Sequence, residues 1–530
     1  MNRRTLSAAL LPPLLALASP AWAQLPNDEL QCRPDEPRLD KYGYLRALSL
    51  DLLGRPPTVA EYAALDAHDD VPEATLDAML ASDEFVGRAV RFHRALLWNN
   101  VRNVDLLNFQ TGFQVKTPEN LYWRRNPSVR YRGTTTAANE QVPCLNVPAT
   151  FDANGRPVFV DQGDGTRREG YVEVQPYWAP TTTIKVCAAD AQTFATSLNG
   201  TACDTNDGLN DAGCGCGPNL RLCRYSNYQS VTEAFSGDID RRIAKLIRED
   251  RPYLELFTSR TAFVNGPMVH FLKYQTGVPA GARVTPLPYQ NGRLPELNFT
   301  EVDNWQEVEL DASHAGVLTS LAYLLRFQTN RARASHFYDF FLCQPFTPPA
   351  GGLPTVDPTV LPHPDLQKRD GCKYCHALLE PAAAHWGRWT ERGAGFLDPN
   401  AYPATREDCR QCGMTGQLCS RECRLYYITN TFSSAEDLYI GSLNAYAYLK
   451  PQAKMHVEHG PKLLVANTVV DDRFPSCTAR RALEGFFGRE LTNEERGWAE
   501  DLGHQFVAGE FSYRALIKSI AQSSIYRRVR

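Results

Sequence analysis

Leu50-Asp51-Leu52-Leu53-Gly54-Arg55-Pro56-Pro57-Thr58-Val59-Ala60-Glu61 writes the end of one helix and the start of the next. Leucines close an apolar face, Gly54-Arg55-Pro56-Pro57 stops the helix, and Thr58-x-x-Glu61 is a capping box for its successor. The same grammar returns near the other end of the chain. Gly488-Arg489-x-x-Thr492-x-x-Glu495 repeats Gly-Arg-x-x-Thr-x-x-Glu without a gap, and Leu483 and Phe487 stand for Leu50 and Leu53 once one register step is allowed. Residues 76–90 also resemble residues 516–530, with Ala81 over Ala521 and Arg88 over Arg528. The chain is expected to open and close with copies of one helical unit whose role is architectural.

Between the copies the periodicity changes twice. Around the first copy, Leu45, Leu48, Leu76, Met79, Phe85 and Val90 recur at helical spacing. Residues 106–230 lose that period and are rich in Pro, Gly, Asn, Thr and aromatic residues; 171–174 and 181–186 alternate like short strands. Helical spacing resumes over 231–341, where Ile239, Ile243, Leu246 and Ile247 share a face. Seven prolines from Pro345 to Pro364 then form a linker.

Apolar and charged fractions of 43% and 22% are those of globular domains. Residues 1–23 read as a secretory signal: Arg3 and Arg4, an apolar core over 6–18, and Ala21-Trp22-Ala23 as the cleavage site. Removing it takes the formal charge from −4 to −6, which favours neither nucleic acid nor an anionic membrane. No later run approaches the roughly 18 apolar residues of a membrane span. The mature chain is therefore expected to be exported, periplasmic or extracellular, in an oxidising compartment.

In that setting most of the 15 cysteines are read as disulfides. One pair reads otherwise. Gly371-Cys372-Lys373-Tyr374-Cys375-His376 is a Cys-x-x-Cys-His, the spacing at which two thiols add to the vinyl groups of a haem and the histidine becomes an axial ligand to its iron. With 15 Cys and 11 His in the chain, chance supplies about 0.01 such motifs. A plain disulfide is the alternative. Assigning Cys372 and Cys375 to haem c leaves an odd number of cysteines, so at most six disulfides form and one thiol is left over.

Other constellations have two readings. Cys409-x-x-Cys412-x6-Cys419-x3-Cys423 suits a tetrahedral zinc site or two disulfides, and export favours disulfides. The same holds for Cys203, Cys214, Cys216 and Cys223. Residues 204–211 alternate oxygen ligands like a calcium loop, but Gly208 stands at the fifth position and Gly215 at the twelfth, where an EF-hand requires glutamate. A solvated turn is the better reading, with calcium a second cofactor candidate. The sixth iron ligand decides the chemistry: methionine raises the reduction potential, histidine lowers it, and an open position admits oxygen or peroxide. Met455 and Met414 are the leading candidates, ahead of His385, His456 and His459. There is no second Cys-x-x-Cys-His, nucleophile elbow or phosphate loop.

Four stretches resemble the planctomycete-type cytochrome c-like proteins, large exported proteins of several domains. They are 48–58; 254–272 around Thr261-Ala262-Phe263-Val264-Asn265; 314–320 with Cys372–His376 and Glu380-Pro381; and 477–526 with Gly488-Arg489. After the haem motif the family usually reads Asp-Pro-x-Gly, where this chain has Glu380-Pro381-Ala382-Ala383. The resemblance implies a c-type haem and export, and little about substrate.

The expectation is a mainly α fold of multi-helical, bundle-like domains around a c-type haem segment, with an irregular, β-containing, cysteine-rich insertion. Its parts are a signal at 1–23, an N-terminal helical domain at 24–105 and the insertion at 106–230. A central helical domain follows at 231–345, the haem segment at 346–445 and a C-terminal helical domain at 446–530. Electron transfer to a redox partner protein is the expected activity, with the insertion docking that partner or covering the haem edge. Two alternatives stand beside it: a haem-dependent oxidoreductase with an open iron, and a non-catalytic exported scaffold held by disulfides.

Overall fold

The computed structural model describes residues 38–101, 112–125, 129–133, 141–224, 229–276, 294–347, 351–352, 362–391, 393–469 and 471–528. The expected signal and Cys32 lie outside them. About 47% of the chain is helical, so the mainly α class holds.

The opening unit is α1 (Lys41–Leu48), a π-helical turn (Ser49–Leu53), α2 (Val59–Leu65), α3 (Glu73–Ala81) and α4 (Asp83–Leu97). Then come eight short strands and four helices. These are β1 (Phe113–Lys116), β2 (Leu121–Arg124), β3 (Val160–Asp161), β4 (Arg167–Arg168), β5 (Tyr171–Val174), β6 (Ile184–Cys187), α5 (Asn206–Leu209), α6 (Gln229–Arg248), α7 (Glu255–Thr258), β7 (Thr261–Val264), α8 (Gly266–Tyr274) and β8 (Gln306–Glu309). The rest is helical: α9 (Leu321–Arg326), α10 (Asn330–Leu342), α11 (Lys373–Ala383), α12 (Glu407–Thr415), α13 (Arg421–Tyr426), α14 (Pro451–His459), α15 (Pro461–Val469), α16 (Arg473–Phe487), α17 (Asn493–Ala508) and α18 (Tyr513–Gln522).

The two Gly-Arg-x-x-Thr-x-x-Glu copies build one turn twice. Gly54 (φ 74°) and Gly488 (φ 66°) end their helices in the left-handed region, which glycine enters without steric cost. Thr58 and Thr492 close full capping boxes with Glu61 and Glu495. Arg55 then forks both oxygens of Glu61 at 2.9 Å, and Arg489 does the same to Glu495 at 2.8 and 2.7 Å. That second job of the glutamate explains why the arginine recurs with it. Arg55, Thr58 and the Thr58 backbone together hold the Glu61 carboxyl down to about 2. One detail differs from the sequence alignment. Ser82 caps Phe85 N–H and Ser523 caps Tyr526 N–H, both at 3.1 Å, so the equivalent helix ends lie one residue beyond the offset that sets Ala81 over Ala521.

The copies meet. Tyr44 Oη donates to Ala521 O at 3.0 Å, Tyr526 Oη donates to Asp51 at 2.7 Å, and α3 packs on α18. One apolar core runs from Tyr44 to Tyr526 through the N-terminal, central and C-terminal helices and reaches α11. Inside the region read as helical, β7 pairs antiparallel with β8. Four residues carry too little period to announce a strand whose partner lies so far along the chain.

The insertion has its own small cores around a sheet ordered β1-β2-β6-β5, with β2 and β6 parallel and the outer pairs antiparallel. β5 matches the expected 171–174, and β6 begins later than the expected 181. Arg132 bonds both Glu169 and Asp190, and Arg124 bonds Asp190 at 3.2 Å, all four side chains fully buried. Burial lowers the Arg124 guanidinium. It pulls on Arg132 too, but two carboxylates more than offset it there and the pKa rises. The insertion rests on α8, where Tyr177 stacks on His270 with ring centroids 3.8 Å apart.

Six disulfides form: Cys144–Cys187, Cys203–Cys214, Cys216–Cys223, Cys343–Cys477, Cys409–Cys423 and Cys412–Cys419. The zinc alternative at 409–423 therefore falls, since its four thiols are consumed in pairs. In the candidate calcium loop, Thr205 caps α5, Asp207 pairs with Arg421, and Asp211 accepts Gly213 N–H at 2.8 Å. No described helix is long and apolar enough to cross a membrane.

Candidate functional site

Among the described residues two cysteines remain as free thiols, and they are Cys372 and Cys375. Cys372 occupies the N-cap of α11, and the N–H groups of Cys375 (3.2 Å) and His376 (3.0 Å) return to its carbonyl. The motif is thus the first turn of a helix. That winding gathers two thiols and an imidazole within one turn, both cysteines partly exposed.

His376 is held from its own helix. Its Nδ1 lies 2.5 Å from Oε1 of Glu380, one turn on at the i, i+4 spacing. A carboxylate only accepts, so in the neutral ring Nδ1 carries the hydrogen and Nε2 presents its lone pair. Among the described residues Nε2 has no hydrogen-bond partner. Glu380 is in turn forked by Arg331 from the first turn of α10, at 2.6 Å from Nε and 3.3 Å from Nη2.

Beside this helix opens a cavity of about 560 Å³, inside the range of about 300–1,000 Å³ usual for ligand and cofactor sites. Glu380, Ala383, Ala384 and Gly387 line one wall at i, i+3, i+4 and i+7. The same stripe, continued back one and two turns, reaches His376 and Cys372, although neither they nor Cys375 line the cavity. Its small side chains let a flat body lie close against the helix. Leu366, Leu397, Leu449, Trp389 and Tyr448 supply apolar walls from the segments around it.

Buried arginines brace those walls. Arg333 on α10 is fully buried and bonds the carbonyls of Leu324, Phe327, Trp389, Thr390 and Gly393, together with Asn330 Oδ1. Burial without a contacting carboxylate brings its guanidinium down to about 10. Arg388 binds the carbonyls of Leu397 and Tyr402 and forks Glu458 of α14. Trp386, fully buried, donates from Nε1 to Leu318 O at 3.0 Å. A separate small core holding Tyr402, Leu443 and Leu449 covers the far side, stapled by the nested disulfides of α12 and α13.

The candidate sixth ligands are not gathered here. Met414 on α12 and Met455 on α14 are 64% and 51% exposed, and neither lines the cavity. His385 is buried behind α11, bonds Gly460 O at 2.9 Å and stacks on His456 at 4.3 Å, while His456 bonds Pro381 O at 2.9 Å. Burial holds the His385 ring down to about 3, so it stays neutral. His459 ends α14 in an exposed turn. Among the described residues, no methionine or histidine lines the cavity.

No described insertion residue lines it either. The insertion's described aromatic residues pack on one another and on α8, as Phe113 does on Tyr122 and Trp178 and as Tyr177 does on His270. Arg331, Glu380 and Arg333 carry no motif and were missed in the sequence. The glutamate showed only as a departure from Asp-Pro-x-Gly.

As a donor set, two thiols and an imidazole with its Nε2 lone pair presented, all on one helical turn, fit a haem attached through Cys372 and Cys375. Comparison with family models, curated proteins and solved structures gives no match. The site's meaning rests on its own geometry.

Proposed function

We propose that this chain is an exported, mono-haem c-type cytochrome-like protein that transfers electrons. Cys372 and Cys375 hold the haem by thioether bonds, and His376 offers Nε2 to the iron. When bound, the haem would supply a one-electron couple; the chain would attach it through Cys372 and Cys375 and fix the ligand tautomer through Glu380. The observation that carries this reading is selective: twelve described cysteines close into disulfides, and the two left as thiols are those of Cys-x-x-Cys-His. An oxidising compartment that closes six pairs has no reason to spare an adjacent seventh unless other chemistry uses it.

The test is haem staining of the mature protein after denaturing electrophoresis. A stained band at the chain's mass is expected. An unstained one sinks the reading and leaves the disulfide scaffold.

A second reading has an observation of its own. The candidate sixth ligands are placed elsewhere, Met414 and Met455 facing solvent, His385 and His456 bonding backbone carbonyls and His459 ending α14 exposed, which favours an iron with an open sixth position and hence a haem-dependent oxidoreductase acting on peroxide or oxygen. Rapid carbon monoxide binding to the reduced protein favours it. A far-red sulfur-to-iron band in the oxidised protein favours electron transfer with Met414 or Met455 as ligand.

A further inference from the structure

Resting on the haem reading just given, we infer that Glu380 and Arg331 are a positioning pair that sets the reduction potential of the iron held by His376. The geometry is a relay of three side chains from two helices: Arg331 on α10, then Glu380, then Nδ1 of His376 on α11. Histidines that ligate metals donate their other ring N–H to a carboxylate, a carbonyl or water, and the partner tunes the ligand. A carboxylate draws the Nδ1 proton harder than a neutral carbonyl does. The ring then gives more electron density to iron through Nε2, which favours the oxidised state and lowers the potential.

The guanidinium works against that pull. It occupies both carboxylate oxygens and so shares the charge that Nδ1–H meets. Arg331 is itself steadied in the first turn of α10, where Thr329 caps Ala332 N–H at 3.1 Å and Glu391 accepts Asn330 N–H at 2.9 Å. Its side chain is 51% exposed, so as a stability element the pair counts for little. The departure Glu380-Pro381 from Asp-Pro then has a physical sense. The longer side chain lies at i+4 from His376 and also reaches Arg331 on the neighbouring helix.

The experiment is redox titration of the intact mature protein and two variants, with covalent haem verified by staining in each. Glu380→Gln keeps an acceptor oxygen and removes the charge. It is expected to shift the equilibrium about tenfold toward the reduced form, which is about 59 mV upward for one electron. Arg331→Gln leaves the carboxylate uncompensated and is expected to move the equilibrium several-fold the other way. Opposite signs from the two partners are not produced by a general loosening of the fold. If Glu380→Gln does not mature, Arg331→Gln decides alone: a downward shift supports the pair and an unchanged potential overturns it. Haem-loaded variants within twofold of the parent equilibrium overturn the inference and leave the haem assignment standing. A parent protein without covalent haem overturns both.

Discussion

Residues 203–223 and residues 409–423 each hold four cysteines closed as two short disulfides, and the second set belongs to the small core whose Ala384, Leu397 and Leu449 line the cavity beside α11. In the insertion the bridges follow one another along the chain and pin loops onto a sheet whose charges are paired and buried. In the later segment they are nested, and they clamp α12 and α13 into a cap beside α11. The insertion closes its described cysteines on one another and pairs Arg124 and Arg132 with its own buried carboxylates, reaching α8 through Tyr177. Beside the later segment two thiols stay open, and Arg388 together with Arg331 and Arg333 of α10 turns on the cavity walls and on the carboxylate behind His376. Identical residue types serve as architecture where every partner is internal, and as chemistry where one is missing.

The hardest test of that contrast removes cysteines from each region. Cys372→Ala with Cys375→Ala is expected to reduce the haem-stained band to background. Cys216→Ala with Cys223→Ala is expected to leave staining per molecule unchanged. Equal loss in both breaks the distinction.

Next in size is the buried ion network. Arg132→Met strips Glu169 of its guanidinium and leaves Asp190 to Arg124 alone, in a fully buried site, and is expected to cost about 3–5 kcal/mol. The measurement is urea unfolding followed by the insertion's tryptophan fluorescence. Arg168→Met, which loses an exposed pair with Asp164, should stay within about 0.5 kcal/mol. Similar losses from both would show that the network is not what holds the insertion.

Acid separates the regions differently. Residues 106–230 contain no histidine, while burial holds His93 down to about 4, and His336 and His385 down to about 3. A histidine that stays neutral when folded costs nothing above its unfolded value near 6.5. As pH falls from there toward 3–4 the unfolded chain takes up protons that the folded one refuses, and stability drops. Each such ring should cost about 2 kcal/mol at pH 5. Hydrogen exchange compared at pH 7 and pH 5 is expected to weaken protection in α4, α10 and the turn after α11 before the insertion's sheet. Earlier loss in the sheet refutes this ordering.

Much of the fold was readable in the sequence because its signals are local. Glycine stops, capping boxes and the alternation at 171–174 each fit within a few residues, and each appears as the element it announced. What escaped depends on contacts made across the chain. β7 acquires strand character from β8, Arg333 is recognisable only beside the Trp389–Thr390 carbonyls it holds, and Glu380 matters only once Arg331 reaches it. The cavity was equally invisible, because it is the space left between α11 and a cap that other residues build. The twelve bridged cysteines agree with the disulfides expected from the sequence, yet composition gave no way to see that both candidate methionines would face water.

The smallest expected effect concerns the point where the two regions touch. Asp207 in the insertion pairs with Arg421 on α13, and both side chains are substantially exposed. An exposed pair gains little Coulomb energy in water and gives up side-chain freedom, so Arg421→Ala should change stability by less than about 1 kcal/mol. It should leave haem staining and the redox titration where they were, because the cavity walls are held by Arg333 and Arg388 and not by the insertion. A loss well above that, or a displaced potential, would mean that the insertion acts on the cavity through this bond. The partition between architecture and chemistry would then have to be redrawn to include it.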